Sequence, residues 1–206
     1  HHNTGGILIF DLPNLPQQGG HDILVKNNKV INNDTPNFAP EGNIVGKTPN
    51  GTGIMVMANE NVILEENFIE GNATAGILVV SYLEEYEDDK YNPLPNRIYI
   101  TNNQLNNNGY SVDSKRAEPI AFLTKEKAPE IIWDGVTNFP EWLGLKKQER
   151  LILGDNRTKG GKTDMINLNL MTYALLPWYH EPKVNYDDYK GEKIPITPVK
   201  FEKIWQ

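Results

Sequence analysis

Apolar residues recur along the first half of the chain in short bursts, too irregular for a helix and too interrupted for one flat strand. "DILVKNNKVINN" (22–33), "NVILEENFIEGN" (61–72) and "RIYITNNQLNNN" (97–108) align without a gap. Ile23, Val62 and Ile98 share one column, Val25, Leu64 and Ile100 the next, and Val30, Ile69 and Leu105 a third. Two further columns are asparagine throughout: Asn28, Asn67 and Asn103, then Asn33, Asn72 and Asn108. A second set of bursts alternates with the first: "GGILIF" (5–10), "TGIMVM" (52–57), "AGILVV" (75–80) and the weaker "EPIAFL" (118–123). Ile54 and Ile77 lie 23 residues apart, a spacing that suits one coil of a parallel β-helix, whose strands pair with their copies one coil on.

The pattern predicts an all-β chain: a parallel β-helix of about four coils (5–33, 52–72, 75–108 and 118–138) with loop insertions. In such a stack, side chains repeat at the ~4.8 Å strand spacing. Asparagine suits the turns because it tolerates left-handed backbone and bonds to nearby backbone groups, and stacked amides bond along the ladder. Asn28, Asn67, Asn103, Asn33, Asn72 and Asn108 are therefore read as structural. A β-sandwich is the competing reading, but it predicts no fixed column identity between distant segments.

Insertions at 11–20, 34–51 and 83–96 widen the coils, and such loops tend to collect on a working face. The repeat stops near residue 139, so the domain reading is coils over 1–138 and a C-terminal cap and extended tail over 139–206, packed on the coils. An open end would leave strand edges unpaired. "DMINLNLMTYALL" (164–176) fits either a short helix or a buried strand. The chain begins almost inside a coil, so earlier coils are expected before residue 1.

Strand alternation adds a consequence. If Ile7, Ile54, Ile77 and Ile120 point inward with Ile9, Val56, Val79 and Phe122, then Leu8, Phe10, Met55, Met57, Leu78, Val80, Ala121 and Leu123 point outward. An apolar face that large should not be left in water. Either the loops and the C-terminal tail are expected to cover it, the tail foremost, or a partner protein does, which would make Phe10, Met55, Met57, Leu78 and Val80 an interface.

Composition narrows the function. The 206 residues carry a formal net charge of −7, and the absence of a basic run argues against nucleic acid as a partner. No apolar run approaches the ~20 residues of a membrane helix, so no transmembrane segment is expected. There is no cysteine, which removes disulfides, thiolate nucleophiles, Cys-based zinc sites and c-type haem attachment. His1-His2 fits a tag remnant or native sequence, and no metal site is read there.

The stretches "NTGGILIFDLPNLP", "NFAPEGNIVG", "GTGIMVMAN" and "DDKYNPLPNRIYITNNQ" resemble a family of exported bacterial parallel β-helix repeat proteins of unknown function, over about residues 3 to 108. That resemblance implies a right-handed parallel β-helix in the periplasm or on the cell surface, often lipid-anchored in the full-length precursor. It also implies a neighbouring exported partner resembling a c-type cytochrome. It supplies no catalytic residues.

Candidate chemistry is sparse. On the second strand column, Arg97, Tyr99, Lys26 and His21 are of the types that a polysaccharide lyase or C5-epimerase uses to hold a uronate carboxylate and move protons. Lys26–Glu65 and Asp22–Arg97 read first as ordinary cross-strand charge pairs worth at most ~1 kcal/mol. The acidic loop Glu84, Glu85, Glu87, Asp88 and Asp89 offers oxygens for Ca²⁺, yet lacks the spacing of a dedicated calcium loop; no other cofactor is expected. His180, beside aromatics and Glu181, reads as a structural histidine. The functional expectation is a non-catalytic exported scaffold that binds a partner protein or a glycan through its loops and one face. The alternative is a carbohydrate-active enzyme acting on an acidic polysaccharide.

Overall fold

The computed structural model of the chain describes residues 1–193 and Pro195, with Glu41, Glu126, Lys147 and His180 excepted. His180 thus lies outside the described residues. The strands are β1 (Gly5–Phe10), β2 (His21–Lys26), β3 (Lys29–Ile31), β4 (Thr52–Met57), β5 (Glu60–Glu65), β6 (Phe68–Glu70), β7 (Ala75–Val80), β8 (Asn96–Thr101), β9 (Gln104–Asn106), β10 (Ile131–Trp133), β11 (Leu151–Leu153), β12 (Arg157–Thr158), β13 (Gly161–Lys162) and β14 (Met165–Asn167). Three short helices, α1 (Glu118–Thr124), α2 (Phe139–Trp142) and α3 (Leu170–Leu175), lie between or after them.

The first sheet has the order β1-β4-β7-β10-β14, the second β2-β5-β8-β11 and the third β3-β6-β9-β12-β13. The columns of the sequence are registers in these sheets. Ile7, Ile54, Ile77 and Ile131 stand side by side in the first, and Ile23, Val62, Ile98 and Leu151 in the second. Val30, Ile69 and Leu105 do so in the third. Their side chains fill one apolar core walled by all three sheets, and Ile54, Leu64, Ile69, Ile77, Ile98 and Ile100 are fully buried there. Burying each such side chain contributes roughly 1.5–3 kcal/mol.

The expectation of one all-β right-handed parallel β-helix is corrected. Among the described residues, fourteen strands form three separate sheets. Two are wholly parallel, while the third ends on the antiparallel pair β12–β13, and three α-helices interrupt them. The fold is β-rich and mixed, not a single right-handed solenoid. One cause is local. "EPIAFL", expected as a strand, is α1, with Pro119 in its first turn. Proline has no N–H to give to a ladder but is tolerated where a helix leaves its first N–H groups unbonded. Ile120 is buried, but Phe122 is 76% exposed rather than inward. The strand beside β7 is instead β10, "IIW". Residues 151–167 contribute β11 to β14 to the same three sheets.

The asparagine columns form two hydrogen-bonded ladders. Asn28 donates from Nδ2 to Asn67 Oδ1 at 3.0 Å, Asn67 to Asn103 at 2.9 Å, and Asn103 to Asn156 at 2.9 Å. Asn33, Asn72 and Asn108 repeat the pattern at 2.8 Å per step and end on Glu130, whose carboxyl burial pushes up. Left-handed backbone falls one residue before six of the rungs, at Asn27, Glu66 and Asn102 and at Asn32, Gly71 and Asn107. The rungs themselves are not left-handed; they satisfy neighbouring backbone groups, as when Asn67 Nδ2 also donates to Val25 O at 2.9 Å.

Within the C-terminal segment, residues 186–193 pack beside the core. Tyr186 and Tyr189 pack against the core, and Tyr189 meets Trp133 edge-on at 5.7 Å. Lys190 bridges to Leu153, and Lys193 Nζ reaches Glu65 at 2.8 and 2.9 Å. This stretch therefore closes the core beside β11 and crosses the second sheet. The outer face of the first sheet is covered by Ile44, Tyr82, Tyr91, Val112, Ala117, Ile120 and Leu123 from inserted loops and α1, together with Leu168 and Leu170 of the C-terminal segment. Those insertions leave the chain next to that face, so they reach it first.

Candidate functional site

Strand alternation turns Phe10, Met55, Met57, Leu78 and Val80 outward on the first sheet, and the inserted segments arch over them without filling all the space. What remains is a cavity of about 220 Å³, smaller than the ~300 Å³ and upward of drug-sized sites. All five of those residues line it, with Ile44, Ile120, Leu168 and Leu170. The wall is mostly apolar, and a few polar groups interrupt it: Lys47, Thr48, Ser81, Glu84, Arg116 and Asp134.

Specific bonds hold the arch in place. Asn37 Nδ2 donates to Val45 O and Thr48 O, each at 2.8 Å, and shapes the loop before β4. Arg116 Nε donates to Gly46 O at 2.8 Å, tying that loop to the start of α1. Asp113 takes the Asn50 N–H at 3.1 Å. On the opposite side, Tyr91 donates its hydroxyl to Asp11 O at 2.7 Å, and Tyr82, Tyr86 and Tyr91 pack edge to face. Burial pushes the Tyr91 hydroxyl far above its ordinary value, with Asp11 adding to the effect. Lys47 and Glu84, each about half exposed, form an ion pair of 2.7 Å at the cavity rim.

Asp134 is the charged group with the least solvent in the cavity wall, 2% exposed. It directly follows β10, where Oδ1 accepts the Val136 N–H at 3.0 Å and Oδ2 accepts the Ser81 N–H at 2.5 Å. Burial pushes its carboxyl up to about 6; those two N–H donors and the charge of Arg150 pull the other way. The Ser81 hydroxyl also favours the charged form, although it falls short of a formed hydrogen bond. Thr48, 1% exposed, keeps a hydroxyl oxygen with no partner among the described residues.

The other sequence candidates lie elsewhere. His21 and Lys26 occupy opposite ends of β2, about 16 Å apart at ~3.3 Å per residue. Lys26 is held by Glu65 and Glu66 at 3.3 and 3.1 Å, and Tyr99 is buried with Ile63 and Ile152. Arg97 has left-handed backbone, as do Asp22 and Asn61 at the matching positions of β2 and β5, so the same kink repeats from strand to strand. In the acidic loop, Glu84 pairs with Lys47. Asp88 accepts from Asn14 N, Gln18 Nε2 and Lys90 N. The Asn14 and Gln18 donors are the main reason its carboxyl is lowered. Glu85, Glu87 and Asp89 share that loop, and among the described residues no three acidic or imidazole side chains converge as a metal site would need.

Sequence reasoning missed Asp134, Lys47, Thr48 and Arg116. The signal for Asp134 is "EIIWD", an acid directly after an apolar run, but the repeat pattern points to "EPIAFL" for that column. No helix among the described residues is long and apolar enough to cross a membrane. Comparison with known protein families, curated proteins and solved structures finds no match to this chain.

Proposed function

We propose that the protein is a non-catalytic binding protein whose site is the cavity over β4 and β7. The carrying observation is that an apolar sheet face is roofed by three segments bonded to one another, which still leave about 220 Å³ unfilled. A cavity of this kind, walled by Met, Leu, Ile and Val, favours a small apolar group because entry removes apolar surface from water. Tying down the roof before binding spares the cost of ordering it later. Its occupant is an apolar body smaller than a drug-sized ligand, either free or presented by a partner.

Calorimetric titration with n-hexanol tests this reading. Wild type is expected to bind in the millimolar range, with a negative heat-capacity change. Val80→Phe, which fills the cavity from its wall, should weaken binding at least about tenfold while the protein stays folded. Absence of hexanol binding by folded wild type would overturn the proposal.

A further inference from the structure

The cavity's charges are unevenly matched. Lys47 is neutralised by Glu84 at 2.7 Å, and Arg116 lies 3.4 Å from Asp113. Arg150, whose charge Asp134 feels, is engaged by both oxygens of Glu141 at 2.6 and 2.8 Å and by Pro95 O at 2.9 Å. Asp134 is left without an ion-pair partner among the described residues, and each of its oxygens accepts one backbone N–H, which leaves further acceptor capacity on both. A buried carboxylate without a counter-charge is costly. Phe10 and Tyr82 add aromatic rings to the same wall, and ring faces attract cations.

Resting on the binding reading above, we propose that the ligand is an organic cation: an ammonium group seated toward Asp134, with its aliphatic or aromatic body against Met55, Met57 and Leu78. The formal net charge of −7 raises the local concentration of such cations. The unpartnered Thr48 hydroxyl gives the wall a second acceptor for ammonium protons.

Three probes of one body size separate the claims: n-hexylammonium, n-hexanol and hexanoate. Near about pH 8, hexylammonium is expected to bind about tenfold or more tighter than hexanol, with hexanoate weakest. Asp134→Asn should erase that preference. If that variant fails to fold, wild type decides. The preference should vanish as pH falls through about 6, because hexylammonium stays charged and Asp134 does not, while hexanol binding stays flat. Equal binding of hexylammonium and hexanol at the higher pH would overturn the cation inference and leave the cavity reading standing. If no probe binds, both fall.

Discussion

Lys47 Nζ and Glu84 Oε2 stand 2.7 Å apart, joining the loop ahead of β4 to the loop behind β7 at the rim of the cavity. Both side chains are about half exposed, so solvent screens the pair and its contribution to stability stays below ~1 kcal/mol. Its effect falls on passage through the rim. Glu84→Gln is expected to leave the urea midpoint nearly unchanged and to raise the hexanol dissociation rate, read from NMR line shapes. An unchanged rate would show that the pair does not gate the cavity.

The asparagine ladders are a stability matter. Asn67 is 1% exposed and gives both amide protons, to Val25 O and Asn103 Oδ1, while accepting from Asn28. Asn67→Ala strands several buried backbone and side-chain groups and should cost on the order of 2–4 kcal/mol. Asn28→Ala, at the open end of the same ladder, should cost less than half of that. Urea unfolding of the two variants checks the order, and equal losses would contradict it.

Glu66 occupies a left-handed turn at φ +56°, a conformation that costs a residue with a Cβ roughly 1 kcal/mol. Among the described residues its carboxylate pairs with the part-exposed Lys26. Glu66→Gly is therefore expected to hold or raise stability, by up to about 1 kcal/mol. A fall of similar size in thermal or urea unfolding would show that the ion pair with Lys26 outweighs the backbone strain.

Asp134 gives the protein a pH signature. Its folded carboxyl titrates near about 6, against an ordinary 3.8. Between those values the folded state holds the proton more tightly than the unfolded chain does. Its contribution to stability is thus fully present below about pH 4 and is lost as pH rises through about 6. Wild type should lose on the order of 2–3 kcal/mol relative to Asp134→Asn across that window, measured by urea unfolding at stepped pH. A pH-independent difference would place the carboxyl at its ordinary value.

Much of the strand pairing was legible because it depends on periodicity. Three gap-free copies fixed the registers of Ile23, Val62 and Ile98, and of Asn67 with Asn103, since one slipped residue would turn every apolar side chain to the wrong face. The overall class was misread where periodicity gives way to single-residue chemistry. Pro119 converted an apolar burst into α1, and the short "IIW" run that pairs with β7 is too brief to announce itself. The cavity was half legible. Phe10, Met55, Met57, Leu78 and Val80 follow from strand alternation, whereas Lys47, Arg116 and Asp134 reach it through loops whose paths depend on long-range bonds such as Arg116 to Gly46.

The most direct test of the central claim uses the four methionines of the chain as methyl NMR reporters. Met55 and Met57 line the cavity, while Met165 lies in the core between the sheets. Titration with n-hexanol is expected to shift the Met55 and Met57 methyl signals saturably and leave Met165 in place. Unmoved Met55 and Met57 signals in folded protein would contradict the assignment of this cavity as the binding site.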